Sequence, residues 1–285
     1  MRFRWDWLAP VMHAPYVPTL GPVGPVGPGA LSVELFNDVL DVAGTGRFLS
    51  YDKDRRWSDR KDEQVIVEEI SHLPEMTVIP TLSTRGDGLV KIHYYGKGRP
   101  DLTELHEYGA KLCALYGAGR HRIIWCEQTS EGASGRLMLK TFSDRDVDAQ
   151  DVVMQLSDCP YADTFPAFTQ EIGPEGFMFL YQRMQAGSDD GPVLVTVEDN
   201  RIVGAVGPLG ILHDRDGVRV QPPQYFAVHP TYRGRGHGRA LWRASMAWGQ
   251  TNGATYKVLQ AATGSPAESL YLSEGLQTLG FVHTA

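Results

Sequence analysis

The stretch YFAVHPTYRGRGHGRALW, residues 225–242, constrains the fold more than any other part of the sequence. Four apolar residues are followed by a loop with glycines at 234, 236 and 238, and then by a run with helical character. Glycine reaches positive φ and lets the backbone approach an anion without a Cβ in the way. The first amides of a helix lack partners and carry partial positive charge. This order of elements predicts a site for a phosphorylated ligand.

Three arginines, Arg233, Arg235 and Arg239, add positive charge to this loop. It is not a Walker loop, because no GK[ST] follows, and the third glycine comes one residue too early for GxGxxG. A plain structural turn is an alternative. The formal net charge of -7 disfavours a nucleic-acid contact, which needs clustered cations.

The composition is that of an ordinary soluble globular protein, with 285 residues and 42% hydrophobic side chains, enough for one large domain or two. Cys113, Cys126 and Cys159 have no CxxC spacing, so we expect reduced thiols and no metal site. The N-terminus is interrupted by Asp6 and prolines and resembles neither a signal peptide nor a membrane span. We expect a cytoplasmic protein with no membrane or nucleic-acid partner.

Two domains are predicted, residues 1–134 and residues 135–285. The boundary is the polar stretch of small residues QTSEGASG, residues 128–135. A Pro/Gly-rich segment, residues 18–29, is predicted to be an extended linker or surface loop. The first domain is expected to be a smaller α/β domain of unknown role.

The first half shows helix and hairpin signals. Residues 31–44 have helical spacing and end at Gly44, and residues 76–96 predict two strands around the turn RGDG. Residues 101–117 predict a helix that begins near Asp101 or Thr103 and ends near Gly117, followed by a strand at 121–127.

The second half has clearer signals for turns and helix ends. DRDVDAQDVVMQL, residues 144–156, predicts a helix with acidic residues in its first turn, and residues 193–212 predict a hairpin around EDN. A strand is predicted to run from the turn RDG, residues 215–217, to Val228. A helix, a strand at 256–261, a short helix around 266–274 and a last strand complete the pattern. The order indicates an α+β fold with a mixed sheet flanked by helices.

The loop resembles the central motif of the GNAT superfamily of acetyl-CoA-dependent acyltransferases. Arg233, Gly236 and Gly238 match its Arg/Gln-x-x-Gly-x-Gly/Ala pattern, and VHP at 228–230 matches the V-x-P before it. Tyr271, four residues before Gly275-Leu276, matches a tyrosine that usually precedes a Gly-Phe pair. The resemblance covers residues 135–285. One alternative for the first half is a degenerate copy of the same fold, without a glycine loop and therefore without cofactor.

The resemblance implies an opening between the strands YFAV and YKVLQA that admits pantetheine as a substitute strand, with the pyrophosphate on the amides of residues 235–239. Acetyl-CoA is the implied co-substrate. The residues expected to bind it are Phe226, Ala227, Val228, Arg233, Gly234, Arg235, Gly236, His237, Gly238 and Arg239.

The resemblance also implies chemistry, in which an amine attacks the thioester directly. Tyr271 corresponds to the general acid that protonates the leaving thiolate, and the Val228 N–H is the candidate oxyanion donor. Many family members place a glutamate on the strand that leads into the loop, where this chain has Gln221 and Gln224. The base is therefore water-relayed or remote, or the acceptor arrives partly neutral. His229 beside the cofactor strand and the near-turn residues His213, Asp214 and Asp216 are more typical of surface residues.

The expected acceptor is a primary amine of a small molecule or peptide. Asp158, Tyr161, Asp163 and Gln224 are its candidate contacts, and a solvated loop is the alternative for the first three. A second hypothesis is a non-catalytic acyl-CoA-binding or scaffold protein, suggested by the missing acid and the unmatched first half. Covering the acceptor cleft and forming a homodimer are alternative roles for that half.

Overall fold

The fold is described from a computed structural model. It covers residues 16–17, 21–22, 63–73, 76–84, 86–96, 99–127, 129–142, 152–173, 177–213 and 218–285. The predicted helix ending at Gly44, most of the segment 18–29, and the residues Asp214 and Asp216 lie outside these ranges.

Strands and helices alternate along the described residues in an α+β order. The strands are β1 (Tyr16–Val17), β2 (Gly21–Pro22), β3 (Glu63–Val65), β4 (Ser71–His72), β5 (Met76–Ser83), β6 (Leu89–Gly96), β7 (Arg120–Glu127), β8 (Gly135–Thr141), β9 (Val153–Gln155), β10 (Leu194–Glu198), β11 (Arg201–Gly207), β12 (Leu212–His213), β13 (Arg219–Gln221), β14 (Tyr225–Val228), β15 (Tyr256–Ala262) and β16 (Gln277–Thr284). The α-helices are α1 (Leu102–Tyr116), α2 (Phe165–Glu171), α3 (Phe177–Gln185), α4 (His237–Thr251) and α5 (Pro266–Ser273). This order confirms the predicted fold class.

The chain divides into two compact units that interleave in sequence. The first comprises Met1–Leu139, Asp214–Val218 and Val258–Ala285, and the second comprises Lys140–His213 and Arg219–Lys257. The domain division at 134/135 stays a prediction.

The first unit is built on a mixed sheet in which β16 lies between β7 and β8 and is antiparallel to both. Beyond β7 the order continues through β6 and β5 to β3, and β4 also pairs with β5. The hydrogen bonds reach the last residue, since Ala285 and Ile123 exchange backbone bonds of 2.9 and 3.1 Å. The C-terminal strand is therefore an interior part of this sheet.

Helix α1 covers this sheet, as its sequence signals predict. It begins after the N-cap Asp101 and ends at the C-cap Gly117, which has φ +68°. Leu105 and Leu112 on its inner face pack against Ile92 and neighbouring residues of β5, β6 and β7. The predicted β5–β6 hairpin is confirmed, with residues 76–83 paired to 96–89.

The second unit contains an antiparallel sheet in the order β14, β11, β10, β9. The helix predicted over 144–156 is wrong for its described part, because residues 153–155 form β9 and pair with residues 194–196 of β10. Val152 and Val153 favour strand, and tertiary pairing outweighs the acidic residues that suggested a helix start. The hairpin of β10 and β11 around residues 198–200 is confirmed.

Helices fill the two sides of this sheet. Phe165 and Phe168 of α2 and Phe177 of α3 are fully buried, and the Phe177 ring meets the other two edge to face. Leu241 and Ala244 of α4 pack against residues of β10 and β11. The buried face of α4 fixes the direction in which its N-terminus points.

The single strand predicted from residue 217 to Val228 is also corrected. It consists of β13, which pairs with the first residues of β15, and β14, which pairs with β11. Pro222 and Pro223 separate the two strands and cannot donate to a ladder. The chain therefore leaves one sheet and enters another at these prolines.

A histidine pair in the first unit makes a pH-dependent contribution to stability. His106 Nδ1 lies 2.9 Å from His121 Nε2, and burial followed by the charge of His106 lowers the pKa of His121. The unfolded chain then binds a proton more readily, so we expect the free energy of unfolding to fall as pH drops below about 6.5. Urea unfolding at pH 5 to 8 measures this. In a His121→Gln variant the free energy of unfolding should depend less steeply on pH. An unchanged pH dependence would contradict the assignment to His121.

Candidate functional site

The glycine loop adopts a conformation that requires glycine. Gly234 has φ +79° and Gly236 has φ +93°, and a Cβ added at either position would meet no atom within 4 Å. The glycines are therefore required by backbone conformation rather than by crowding. Gly236 is the N-cap of α4 and provides no side-chain cap.

The amides of residues 234–238, at and before this helix start, have no hydrogen-bond acceptor among the described residues. The Ala240 N–H donates to the Gly236 carbonyl at 3.0 Å and begins the hydrogen-bond pattern of α4. Adjacent unpaired amides at a helix N-terminus form an anion site.

Among the described strands β14 pairs with β11 alone, so its other edge has no strand beside it there. The His229 N–H donates to the Val203 carbonyl at 2.8 Å, and Gly204 lies opposite Val228. In an antiparallel ladder this makes Gly204 and Val228 a non-hydrogen-bonded pair. The Val228 N–H therefore points away from β11, as the predicted role of an oxyanion donor requires.

The cationic side chains of the loop are held by neighbouring groups. Arg233 Nε donates to the Val228 carbonyl at 3.1 Å. Arg235 Nη1 and His237 Nε2 lie 2.5 and 2.7 Å from the carboxylate of Glu198, at the end of β10. The hydrogen bonds from His237 and Arg235 hold the pKa of Glu198 below its usual value. The carboxylate thus orients both side chains beside the amides.

The turn that follows Glu198 braces the loop further. Asp199 and Asn200 have φ of 52° and 59°, a left-handed pair that suits Asp and Asn in a two-residue hairpin. Tyr232 donates to Asp199 at 3.2 Å, and Tyr161 donates to Asn200 at 2.7 Å. One turn therefore contacts both the glycine loop and the predicted acceptor segment.

His229 has a partner on each ring nitrogen. Its Nδ1 accepts from the Thr231 N–H at 3.3 Å, and its Nε2 lies 3.3 Å from Glu171 Oε2. Glu171 also pairs with Arg201. These contacts favour a positioning role at the end of β14 over that of a general base.

The predicted acceptor contacts occupy different environments. Asp158 and Asp163 are exposed on the short turns before α2. Gln224 is engaged at both ends of its amide, donating to Ser245 Oγ at 2.9 Å and accepting from Lys257 Nζ. A contact of Gln224 with an acceptor would require this network to open.

Tyr271 lies on α5 in the first unit. Ser265 caps this helix by accepting from the Glu268 N–H, and Glu268 accepts from Gly264 N–H and Arg136. The Tyr271 side chain is buried, and this burial raises its pKa. The phenol is therefore protonated at neutral pH, as a general acid must be.

A similar strand–loop–helix arrangement in the first unit lacks these features. β6 and β7 flank α1, which has the same length as α4, but β6 pairs with β7 in parallel register from Leu89 to His93. The carboxylate of Asp101 accepts from the Thr103 and Glu104 amides. A carboxylate already occupies this helix start, so it does not offer the anion site that α4 offers.

The described residues show neither a metal-binding cluster nor a membrane-spanning helix. Among the described residues no three His, Cys, Asp or Glu side chains are grouped so as to bind a metal ion. In the same ranges no helix has the length and apolar character to cross a bilayer.

Several site residues had weak or no sequence signals. Glu198 precedes the Asp199-Asn200 turn, and the sequence indicated only that turn. Lys257 interrupts the apolar strand YKVLQA, which is a usable sign of a buried charge. Ser245 on α4 offered no signal at all.

One protein family matches part of the sequence. Residues 154–275 match the model of the acetyltransferase (GNAT) family. No curated protein matches the sequence significantly.

Several solved structures of GNAT proteins are similar to this chain, and one of them, with a TM-score above 0.5, has the same fold. A tandem GNAT protein from the clavulanic acid biosynthesis pathway is 11% identical, with 86% of this chain and 87% of that chain covered, at a TM-score of 0.52. A GCN5-related N-acetyltransferase from Sphaerobacter thermophilus is 15% identical over 88% and 90%, with a TM-score of 0.49. A GNAT-family acetyltransferase from Colwellia psychrerythraea is 11% identical over 89% and 96%, with a TM-score of 0.48.

The match to the GNAT acetyltransferase domain at residues 154–275 lies in the C-terminal half, where the sequence resemblance predicted it. Members of this family transfer an acyl group from an acyl-CoA. The likeness to the tandem protein, at its low identity, concerns the fold alone.

Replacing Gly236 by alanine tests the loop conformation. A left-handed backbone costs a non-glycine residue about 1–2 kcal/mol, so alanine favours a negative φ that turns the loop amides. We expect acyl-CoA affinity to fall about tenfold, which corresponds to about 1.4 kcal/mol. Calorimetric titration measures this.

The matched control is Gly132→Ala. Gly132 also has positive φ, +73°, and open space around a Cβ, but lies outside the glycine loop. An equal loss of affinity in both variants would contradict a specific role for Gly236.

Proposed function

We propose that the protein is a cytoplasmic N-acetyltransferase that moves an acetyl group from acetyl-CoA to a primary amine of a small molecule or peptide. The observation that carries this proposal is the row of unpartnered amides at residues 234–238, which follows directly on the open edge of β14. The family match supports acyl transfer in general. The acetyl group and the amine acceptor are the part that we propose.

The diphosphate of the co-substrate binds at the loop. The amides of residues 234–238 donate to its oxygens, and the positive end of the α4 dipole adds about half a charge. Arg233, Arg235 and Arg239 surround these amides. The two amides of pantetheine then run along Phe226, Ala227 and Val228 as an added strand.

The reaction is a direct attack of the neutral amine on the thioester carbonyl carbon. A carbon–nitrogen bond forms while the carbonyl oxygen becomes an oxyanion that accepts from the Val228 N–H. The carbon–sulfur bond then breaks, and Tyr271 donates a proton to the thiolate. Gln221 and Gln224 are amides and cannot take the proton of the attacking amine, so water carries it away.

The acceptor binds on the side of the turns before α2. Asp158 and Asp163 are exposed carboxylates that attract a cationic amine, and Tyr161 lies on the same segment. The hydrogen bond from Tyr161 to Asn200 connects this segment to the turn that holds the loop. A small amine or a peptide N-terminus fits such a surface, and the sequence leaves the choice open.

Binding and turnover of acetyl-CoA test the proposal. Calorimetric titration should give a one-to-one complex at micromolar cofactor, and thiol release should appear with members of a panel of polyamines, aminoglycosides, amino acids and peptides. No binding at high micromolar acetyl-CoA would exclude the proposal. Binding without thiol release for any amine would favour the scaffold alternative, which the missing carboxylate before β14 suggests.

Tyr271→Phe separates catalysis from binding. Loss of general acid catalysis should lower kcat about 10²-fold while the Kd for acetyl-CoA stays unchanged. A steady-state assay of thiol release measures kcat, and calorimetric titration measures the Kd. Tyr94→Phe is the matched control, since Tyr94 is another buried tyrosine with a raised pKa, on β6. Equal turnover in wild type and Tyr271→Phe would remove Tyr271 from the mechanism.

A further inference from the structure

A buried lysine lies where the chain changes sheets. Lys257, the second residue of β15, is opposite Gln221 of β13 and is completely buried. Its Nζ donates to the Pro222 carbonyl at 3.1 Å and to Gln224 Oε1. The two acceptors flank Pro223, so one ammonium spans the break between β13 and β14.

Burial of an ammonium is costly unless it is hydrogen-bonded. The carbonyl of Pro222 precedes a second proline, and the interrupted ladder leaves it in need of a donor. Lys257 supplies that donor from the neighbouring strand. The lysine thus donates a hydrogen bond to the Pro222 carbonyl, which would otherwise be buried without a donor where the chain passes from one sheet to the other.

The same network reaches the helix that carries the glycine loop. Gln224 Nε2 donates to Ser245 Oγ of α4 at 2.9 Å, and Gln221 Nε2 donates to the Ser245 carbonyl at 3.0 Å. Gly249, one turn further along α4, allows this approach, because a Cβ there would lie 2.5 Å from Gln221 Oε1. Residues on both sides of the prolines are therefore fixed to α4.

This placement has a consequence for the ligand edge. Gln224 immediately precedes β14, so its position determines where the open edge of β14 begins. The other end of the same edge leads into the amides at the start of α4. A ligand that spans the edge and the amides needs both at a fixed separation, and the Lys257 network sets one end of it.

We infer that Lys257 is a positioning residue for the acyl-CoA site, acting through Gln224 and Pro222 to hold the open edge of β14 in register with α4. The inference rests on the proposed function for the identity of the ligand. It assigns Gln224 to this network.

Lys257→Met is the main test. The variant leaves the buried Pro222 carbonyl and Gln224 Oε1 without this donor, so the thermal midpoint should fall by a few degrees while the protein still folds. We expect the Kd and KM for acetyl-CoA to rise about tenfold while kcat at saturation changes less than twofold. A purely structural role would lower the thermal midpoint in the same way but leave the Kd and KM for acetyl-CoA at their wild-type values.

Hydrogen exchange gives a readout that needs no ligand. Exchange of the β14 amides that bond to β11, those of Tyr225 and Ala227, should quicken in Lys257→Met relative to wild type, because the start of β14 loses its fixed point. Gln224→Leu should also quicken the exchange of the same amides and raise the Kd for acetyl-CoA. This variant is the test if Lys257→Met does not fold. Lys111→Met, which removes an exposed lysine on α1, is the control and should match wild type.

The outcomes separate the two proposals. Unchanged Kd and unchanged exchange in both Lys257→Met and Gln224→Leu would overturn the positioning role, whatever the activity. A wild type that binds no acetyl-CoA would overturn the proposed function, and the exchange of the Tyr225 and Ala227 amides would still decide on Lys257.

Discussion

The second unit depends on two consecutive prolines that have no amide hydrogen to donate. Pro222 and Pro223 end the pairing of β13 with the start of β15, and the chain resumes as β14 against β11. The change of partner leaves the outer edge of β14 open, with the Val228 N–H directed outward. An open edge inside a folded protein is normally a liability, and we propose that here it provides ligand-binding groups at the centre of the site.

Hydrogen bonds from cationic side chains hold both ends of that edge. At one end the Glu198 carboxylate accepts from Arg235 and His237. It holds both side chains in fixed orientations and reduces the repulsion between the cations of the loop. At the other end Lys257 Nζ donates to the Pro222 carbonyl and to Gln224 Oε1, so the buried amine has polar partners. Both arrangements hold backbone groups in place, which is what a ligand of several linked parts requires.

The two strand–loop–helix segments of the chain show how small a difference separates a binding site from a structural joint. Both helices have fifteen residues and both follow a strand. In one, the side chain of Asp101 caps the first amides and the flanking strands pair directly. In the other, Gly236 has no side chain to cap them, and the flanking strands pair with other partners. The choice of cap residue decides whether an anion has room to bind.

The sequence by itself determined the elements whose signals are local. Glycines at 234 and 236 require positive φ, Asp101 and Gly117 bound a helix, and Asp199-Asn200 suits a tight hairpin, so the glycine loop, α1 and the turn could be predicted. Only the tertiary structure decided contacts between distant residues. Val153 became a strand because β10 offered a partner, and Lys257 met Gln224 only when two strands diverged around prolines. Pairing and burial depend on what lies opposite in space, which local residue patterns do not encode.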